Sequence, residues 1–419
     1  MTPSARLQAA IEVLEGLAGT AQPADRYLRD YFHVRRYAGS RDRVAVAERI
    51  YMVMRHRSSL AWRMGSNDSR ALVIGSVLTE GATADALADL FSGKGHGAPA
   101  LSDAERAVIA ALPSADPPLH VRGEFPPFLE PELVRAFGSS LLNEMVAMQA
   151  RAPVDLRVNT LKSSREKALE ALRAEGFAVE PTPYSPHGLR LPPGEGSAKL
   201  GVSSLFAEGA FEFQDEAAQI AALLCGARPG MHVLDFAAGA GGKSLALAAL
   251  MRNEGKVVAH DVDAGRLRPL PPRAARAGAT IIHPVSRRPA GTFDVVLVDS
   301  PCSGSGTWRR QPELRWRILP GRLQTLNTLQ EDLLEQGAAH TAPGGRLIYA
   351  TCSLLPCENE DRIERFLLHH AEFTALSASE TWRALTDAPP PPGMLDVFRA
   401  TPLRTGTDGF FTAVLQRHR

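Results

Sequence analysis

Two cysteines, Cys302 and Cys352, combine a reactive side chain with a position suited to chemistry. An apolar run over 293–298 leads into Asp299-Ser300-Pro301-Cys302-Ser303-Gly304, and a strand-like stretch over 345–350 leads into Thr351-Cys352-Ser353. Such runs read as buried parallel strands, and open α/β sheets bind ligands outside the carboxyl ends of their strands. Strands ending at 299 and 350 can be neighbours, so the two thiols can flank one pocket. Two thiols facing one cleft point to covalent chemistry, one attacking and the other moving a proton. A free thiol, with a pKa near ~8.5, is only slightly ionised at neutral pH, and Lys243 or a helix N-terminus raises that fraction. A redox pair and simple burial fit the same two residues. Cys225, on an alanine- and leucine-rich helix, reads as core, and Cys357, behind Pro356 at a helix start, as incidental.

A second cluster lies upstream. A strand over 231–235 runs into Ala237-Ala238-Gly239-Ala240-Gly241-Gly242-Lys243, a glycine-rich turn that opens a helix. Glycines admit close backbone approach, and a helix start offers unpaired N–H groups. Gly239 stands only four residues before Lys243, which excludes the spacing of a triphosphate-binding loop. Asp261 ends the next strand about 20 residues on, where a carboxylate can take ribose hydroxyls. Its plainer role, a helix cap, suits Asp263 better. The pair points to a nucleoside-containing cofactor.

These residues need a scaffold, and the C-terminal half supplies one by alternating strand and helix. Strands are expected at 231–235, 256–261, 280–283, 293–299, 345–350 and 409–415. Residues 1–150 read as helical, with helices over 4–18, 24–33, from about 42, 70–78, 103–111 and 131–150, and a proline-rich linker over 113–131. Residues 151–210 read as a small α+β module with strands at 154–159, 178–182 and 188–191 and a helix capped by Ser163 or Ser164. Residues 211–419 then form the main α/β domain. Three domains fit 419 residues at roughly 150 residues each.

Composition bounds the partners. Net charge is +1, but residues 26–70 hold eleven arginines against four acids, an excess of +7. Such an excess, with Arg35, Arg36, Arg41 and Arg43 at its centre, is an electrostatic footprint for nucleic acid; a solvated helical face is the plainer reading. The four cysteines show no C-x-x-C pairing, which argues against a disulfide framework or a zinc cluster and suits a reducing cytoplasm. Neither a membrane-length apolar run nor a signal-peptide pattern is seen.

The ordered set of motifs resembles the RsmB/Nop/Sun family of RNA cytosine-5 methyltransferases, over roughly 150–419. It comprises Arg157-Val158-Asn159, Phe213-Gln214-Asp215-Glu216, the 237–243 turn, Asp261 with Arg266-Leu267, and Asp299-Ser300-Pro301-Cys302. It continues with Arg309-Arg310-Gln311-Pro312-Glu313, Thr351-Cys352-Ser353 with Glu358-Asn359, and Asp408-Gly409-Phe410-Phe411. The resemblance implies a Rossmann-like class I methyltransferase domain with a mostly parallel seven-stranded sheet, behind a NusB-like helical RNA-binding domain. It implies S-adenosylmethionine as cofactor, held by residues 237–243, Asp261 and Asp299. Cys352 corresponds to the nucleophile, Cys302 to the residue assisting proton removal and release, Asp299 to an acid at the base edge, and Lys243 to a support of that pocket. Arg157 and Asn159 join the arginines as RNA contacts. The expected partner is ribosomal RNA, with transfer RNA as an alternative, for a cytoplasmic monomer without metal.

Departures fall on the cofactor side. Ala237 replaces the usual cysteine and Ala240 a frequent proline, and no aspartate follows the third strand, where Ile282-His283-Pro284-Val285-Ser286 stands. Pro269, Pro271 and Pro272 should break the helix after Leu267, since an interior proline costs about 3 kcal/mol. A weakened enzyme and a non-catalytic RNA-binding assembly factor are both compatible with these changes. An NAD-dependent oxidoreductase leaves the two strand-end cysteines unexplained. Methylation of an exocyclic amine or of protein wants a different motif after this strand.

Overall fold

The structure, a computed structural model, describes residues 1–194 and 197–419. It gathers into two compact units, 1–149 with 308–317, and 150–307 with 318–419.

The second unit holds two sheets. The smaller joins β1 (Val154–Val158), β2 (Glu180–Pro181), β3 (Gly188–Leu191) and β4 (Phe211–Phe213) in the order β2-β3-β1-β4, all antiparallel. Because β4 pairs β1, residues 211–213 belong to the small sheet and not, as expected, to the main domain.

The larger sheet contains β5 (His232–Asp235), β6 (Lys256–His260), β7 (Ile282–Val285), β8 (Phe293–Asp299), β9 (Thr341–Thr351), β10 (Phe373–Leu376), β11 (Phe398–Ala400) and β12 (Phe410–Arg417). Its order is β10-β12-β9-β8-β5-β6-β7, with β11 beside β12. From β7 to β9 the strands are parallel, and β10, β11 and β12 pair antiparallel. From Val295 to Val298 the β8 run is apolar because both its faces are covered. Val295 and Leu297 pack into one core with Leu245, while Val296 and Val298 enter another with Phe366. The chain moves outward from β5 through β6 to β7, then returns to β8 on the other side of β5. That reversal is the switch point at which such sheets place their ligands.

β7 begins two residues later than expected and includes Pro284, which an edge strand tolerates. The prolines after Leu267 do divide the helix, into Ala264–Leu267 and Leu270–Ala277. Pro271 and Pro272 fall in the first turn of the second piece, where a missing N–H costs no helical bond.

In the first unit, helices such as Pro3–Ala18, Ala24–His33, Ser40–Arg55 and Ser69–Thr79 close around Leu7, Ile11, Ile50, Val73 and Ile74. Two expectations fail here. The helix over 131–150 is split by Gly138, whose φ of +53° and ψ of −126° suit only glycine. The supposed linker buries Val121, Phe125 and Leu129. Residues 308–317, expected in the main domain, also fold with this unit. There Trp316 Nε1 donates to Met54 O at 2.7 Å, and Glu313 accepts the Ala24 N–H at 3.0 Å, capping a helix that has no side-chain cap of its own.

Candidate active site

Parallel pairing of β8 with β9 puts Asp299 opposite Ala350. Cys302 then comes three residues after the end of β8 and Cys352 directly after the end of β9. The Cys302 Sγ lies 3.4 Å from the Cys352 Sγ. The exit loops are also tied by backbone bonds. Ser300 N–H donates to Ala350 O at 2.8 Å, and Gly306 N–H to Cys352 O at 2.9 Å. Gly306 in turn packs on Gly409, where a Cβ would lie 2.1 Å from a carbonyl oxygen, so the Asp408-Gly409 turn locks the Cys302 loop from behind.

Lys243 reaches across the switch point to Asp299, Nζ to Oδ2 2.6 Å, with the Phe410 ring 5.1 Å from the ammonium. Burial alone would lower the Lys243 pKa, but Asp299, Asp235 and Cys352 together hold it above its ordinary value, so it stays charged. The Cys302 thiol is held well above its usual range by its hydrogen bond to Cys352 and by burial. Cys302 therefore keeps its proton at neutral pH and can present an S–H to its neighbour. Cys225 is buried and its thiol is raised by burial, as a core residue requires.

One group that carries no role in the sequence reading organises both loops. The buried Glu358 carboxylate accepts Ser303 N–H at 2.8 Å and Gln330 Nε2 at 3.0 Å on one oxygen, and the Ser303 and Ser353 hydroxyls on the other. Ser303 follows Cys302 and Ser353 follows Cys352, so a single acid sets the spacing of the two thiols. Its place in the Glu358-Asn359 motif was the available signal, but nothing local in the sequence reveals what it holds.

On the cofactor side, Asp261 follows β6 directly and meets the glycine turn. Its Oδ2 accepts Gly239 N–H at 3.0 Å, its Oδ1 accepts Asp263 N–H at 3.0 Å, and Arg266 pairs with it at 3.3 Å. It is 2% exposed, beneath an Arg266 side chain that is 53% exposed. Asp263 caps the next helix through Gly265 N–H, as expected. Gly241 precedes the Gly242–Leu250 helix without a side-chain cap. Asp235, behind the turn, accepts Ser244 Oγ at 2.6 Å, and burial pushes its carboxyl up to about 6.

Two expected RNA contacts are spent inside the fold. Asn159 donates both amide hydrogens to carbonyls, Gly209 O at 2.9 Å and Ala277 O at 2.8 Å. Arg157 is buried and donates to Gly242 O at 3.3 Å, bracing the glycine turn, and burial lowers its pKa to about 10. Among the arginines, Arg36, Arg41 and Arg43 are exposed, Arg43 donating to Ala38 O, while Arg35 is half-buried against Glu12. Among the described residues no group of three or more His, Cys, Asp or Glu could hold a metal ion, and no helix is long and apolar enough to cross a membrane.

Residues 222–416 match the family described as 16S rRNA methyltransferase RsmB/F, and 125–194 match the ferredoxin-like domain of RsmF/B-like methyltransferases. The probable ribosomal RNA small subunit methyltransferase B of a Synechocystis strain is 34% identical over 309 residues, which are 70% of this chain and 67% of that protein. This chain belongs to the RsmB/F methyltransferase family. The crystal structure of PH0851 superposes with a TM-score of 0.76 at 27% identity, over 100% of this chain and 99% of the other. That of a methyltransferase homolog from Pyrococcus horikoshii gives 0.60 at 28% identity, over 71% and 97%. As an RsmB/F protein the chain is an S-adenosylmethionine-dependent methyltransferase, and its residues fit that cofactor. Asp261 has accepted three donors and keeps acceptor capacity for a ribose hydroxyl. The start of the Gly242–Leu250 helix, without a side-chain cap, leaves N–H groups for a carboxylate.

Proposed function

We propose that this protein methylates carbon 5 of a cytosine in ribosomal RNA through a covalent Cys352 adduct. The observation that carries the reading is the 3.4 Å pairing of Cys302 with Cys352 beside the Lys243–Asp299 ion pair. Cytosine carbon 5 is a poor nucleophile, and activation needs a bond to its neighbour. The Cys352 thiolate forms that bond to carbon 6, with the Lys243 charge and the Cys302 S–H beside it. Asp299, held by Lys243, accepts a hydrogen bond from the exocyclic amine and orients the ring. Bound S-adenosylmethionine would supply an electrophilic methyl group to carbon 5, its C–S bond breaking to leave a neutral thioether. Loss of the carbon 5 proton then returns an electron pair to the ring and expels Cys352 as a thiolate. Solvent water takes that proton, and Cys302, beside the departing sulfur, assists release by donating its S–H to the leaving thiolate. Reaching the base requires single-stranded or flipped-out RNA. The names of the relatives favour ribosomal over transfer RNA, and the reading carries with it a monomer working in the cytoplasm.

The test is to incubate the Cys302→Ala variant with RNA and S-adenosylmethionine and resolve the products under denaturing conditions. A covalent protein–RNA adduct is expected, and Cys352→Ala introduced on top should abolish it. An adduct that survives loss of Cys352 would reverse the two roles. The missing acid after β7 favours a second reading, an RNA-binding assembly factor that has lost its cofactor. S-adenosylmethionine binding undetectable at millimolar concentration would support that instead.

A further inference from the structure

The helical unit contains a groove of about 850 Å³ between the first helix, the turn after His33 and the loop around Lys94. Its floor carries one acid, Glu12, which is already engaged by the Tyr31 hydroxyl at 2.7 Å and by Arg35 at 3.4 Å. The Arg35 guanidinium lies 3.7 Å from the Tyr31 ring centroid, so the cation is held flat and preorganised on an aromatic face. At the lip Tyr37 is 73% exposed, an aromatic ring that core packing does not account for. Across the groove Lys94 and His96 are exposed on a tight turn closed by Gly97 N–H to Lys94 O at 3.1 Å. That turn is pinned to the first helix by Ala98 N–H, which donates to Ser4 Oγ at 3.1 Å. Arg36 and Arg41 stand exposed beyond the lip.

The geometry points to a single-stranded RNA cleft, in which a base stacks on Tyr37 while Lys94 takes the flanking phosphate. This deepens the proposed function and rests on RNA being the substrate. The volume suits one or two nucleotides. Alternating planar and cationic groups match a strand whose bases are unstacked and whose phosphates lie between them. The one acid among the described lining residues is neutralised from within, so the groove offers no free negative charge to repel a phosphate.

The test titrates a fluorescent, unstructured RNA of mixed sequence against the full chain and against Tyr37→Ala, Tyr37→Phe and Lys94→Ala, over a range of salt. Tyr37→Ala should weaken binding at least fivefold while Tyr37→Phe retains it, because the ring and not the hydroxyl stacks. Lys94→Ala should weaken binding and reduce the slope of log K against log salt by about 0.7, the value for one lost contact on a single strand. A duplex of the same sequence should bind less tightly. Unchanged affinity and slope in Tyr37→Ala and Lys94→Ala would overturn the cleft. Equal losses in Tyr37→Ala and Tyr37→Phe would also overturn it. Adduct trapping by Cys302→Ala in an otherwise native chain tests the chemistry separately, so either reading can fail while the other stands.

Discussion

At the scale of single residues, the site depends on a group that touches no reacting atom. Glu358 accepts four hydrogen bonds from the two cysteine loops and the Gln330 helix, and each oxygen is saturated. Removing it strands buried donors, each costing ~1–3 kcal/mol. Glu358→Ala should therefore lower stability by about 3 kcal/mol or more in urea unfolding. Glu358→Gln keeps the shape but turns an amide N–H₂ toward donors, so it should relax the thiol spacing without unfolding the unit. The expected signature is a drop in kcat of tenfold or more with KM for RNA nearly unchanged, because the residue positions the nucleophile rather than binding substrate. Equal kcat in Glu358→Gln and the parent chain would show that the loops hold their spacing without it. The cysteines were legible in the sequence because their chemistry is intrinsic. Glu358 was not, because its role arises only when loops 55 residues apart meet. Asn159 and Arg157 misled for the converse reason, since a polar side chain in a motif looks available until the backbone carbonyls around it are known.

At the scale of elements, legibility followed burial. β8 was read to the residue because both its faces are covered and its run is continuous. β10 and β11 were missed, being three or four residues long with exposed positions between buried ones. The segment after β7 is the element whose consequence is functional. It closes the cofactor side with Val285 and the exposed Ser286, where the family resemblance expects an acid that meets the adenine. A missing hydrogen bond of this kind is worth ~1 kcal/mol. Ser286→Asp should accordingly tighten S-adenosylmethionine binding by roughly fivefold in calorimetric titration, with no gain for a donor lacking the adenine amine. An affinity that stays the same or falls would mean that the adenine is recognised elsewhere. The divided helix beside it needs no such repair, since its prolines already sit where a helix start tolerates them.

At the scale of the whole molecule, the boundaries were the least legible feature, because a window along the chain is not a neighbourhood in space. The arginine excess over 26–70 is partly met by acids from outside that window, Arg35 by Glu12, Arg49 by Glu80 and Arg70 by Glu105. Residues 308–317 likewise leave one unit in sequence and fold into the other. Their Arg315 is fully buried over the Trp308 ring, and burial lowers its pKa to about 10. The same unit buries Glu124, which accepts Ser58 N–H at 2.7 Å and Ser59 N–H at 3.2 Å and lies 3.9 Å from His56. Burial, outweighing those bonds and the Arg315 charge, pushes the Glu124 carboxyl up to about 7 from 4.5. A folded-state pKa above the unfolded one means that the folded chain holds the proton between those values. That contribution is fully present below pH ~4.5 and is lost as pH rises through about 7, a change on the order of 3 kcal/mol. Glu124→Gln, neutral at every pH, should remove it. Urea unfolding of the full chain at pH 5 and pH 8 should therefore show a smaller loss of stability in Glu124→Gln than in the parent. Parallel pH profiles for the two proteins would mean that Glu124 ionises in place, paired with the buried Arg315, and that the segment from 308 to 317 is held by charge.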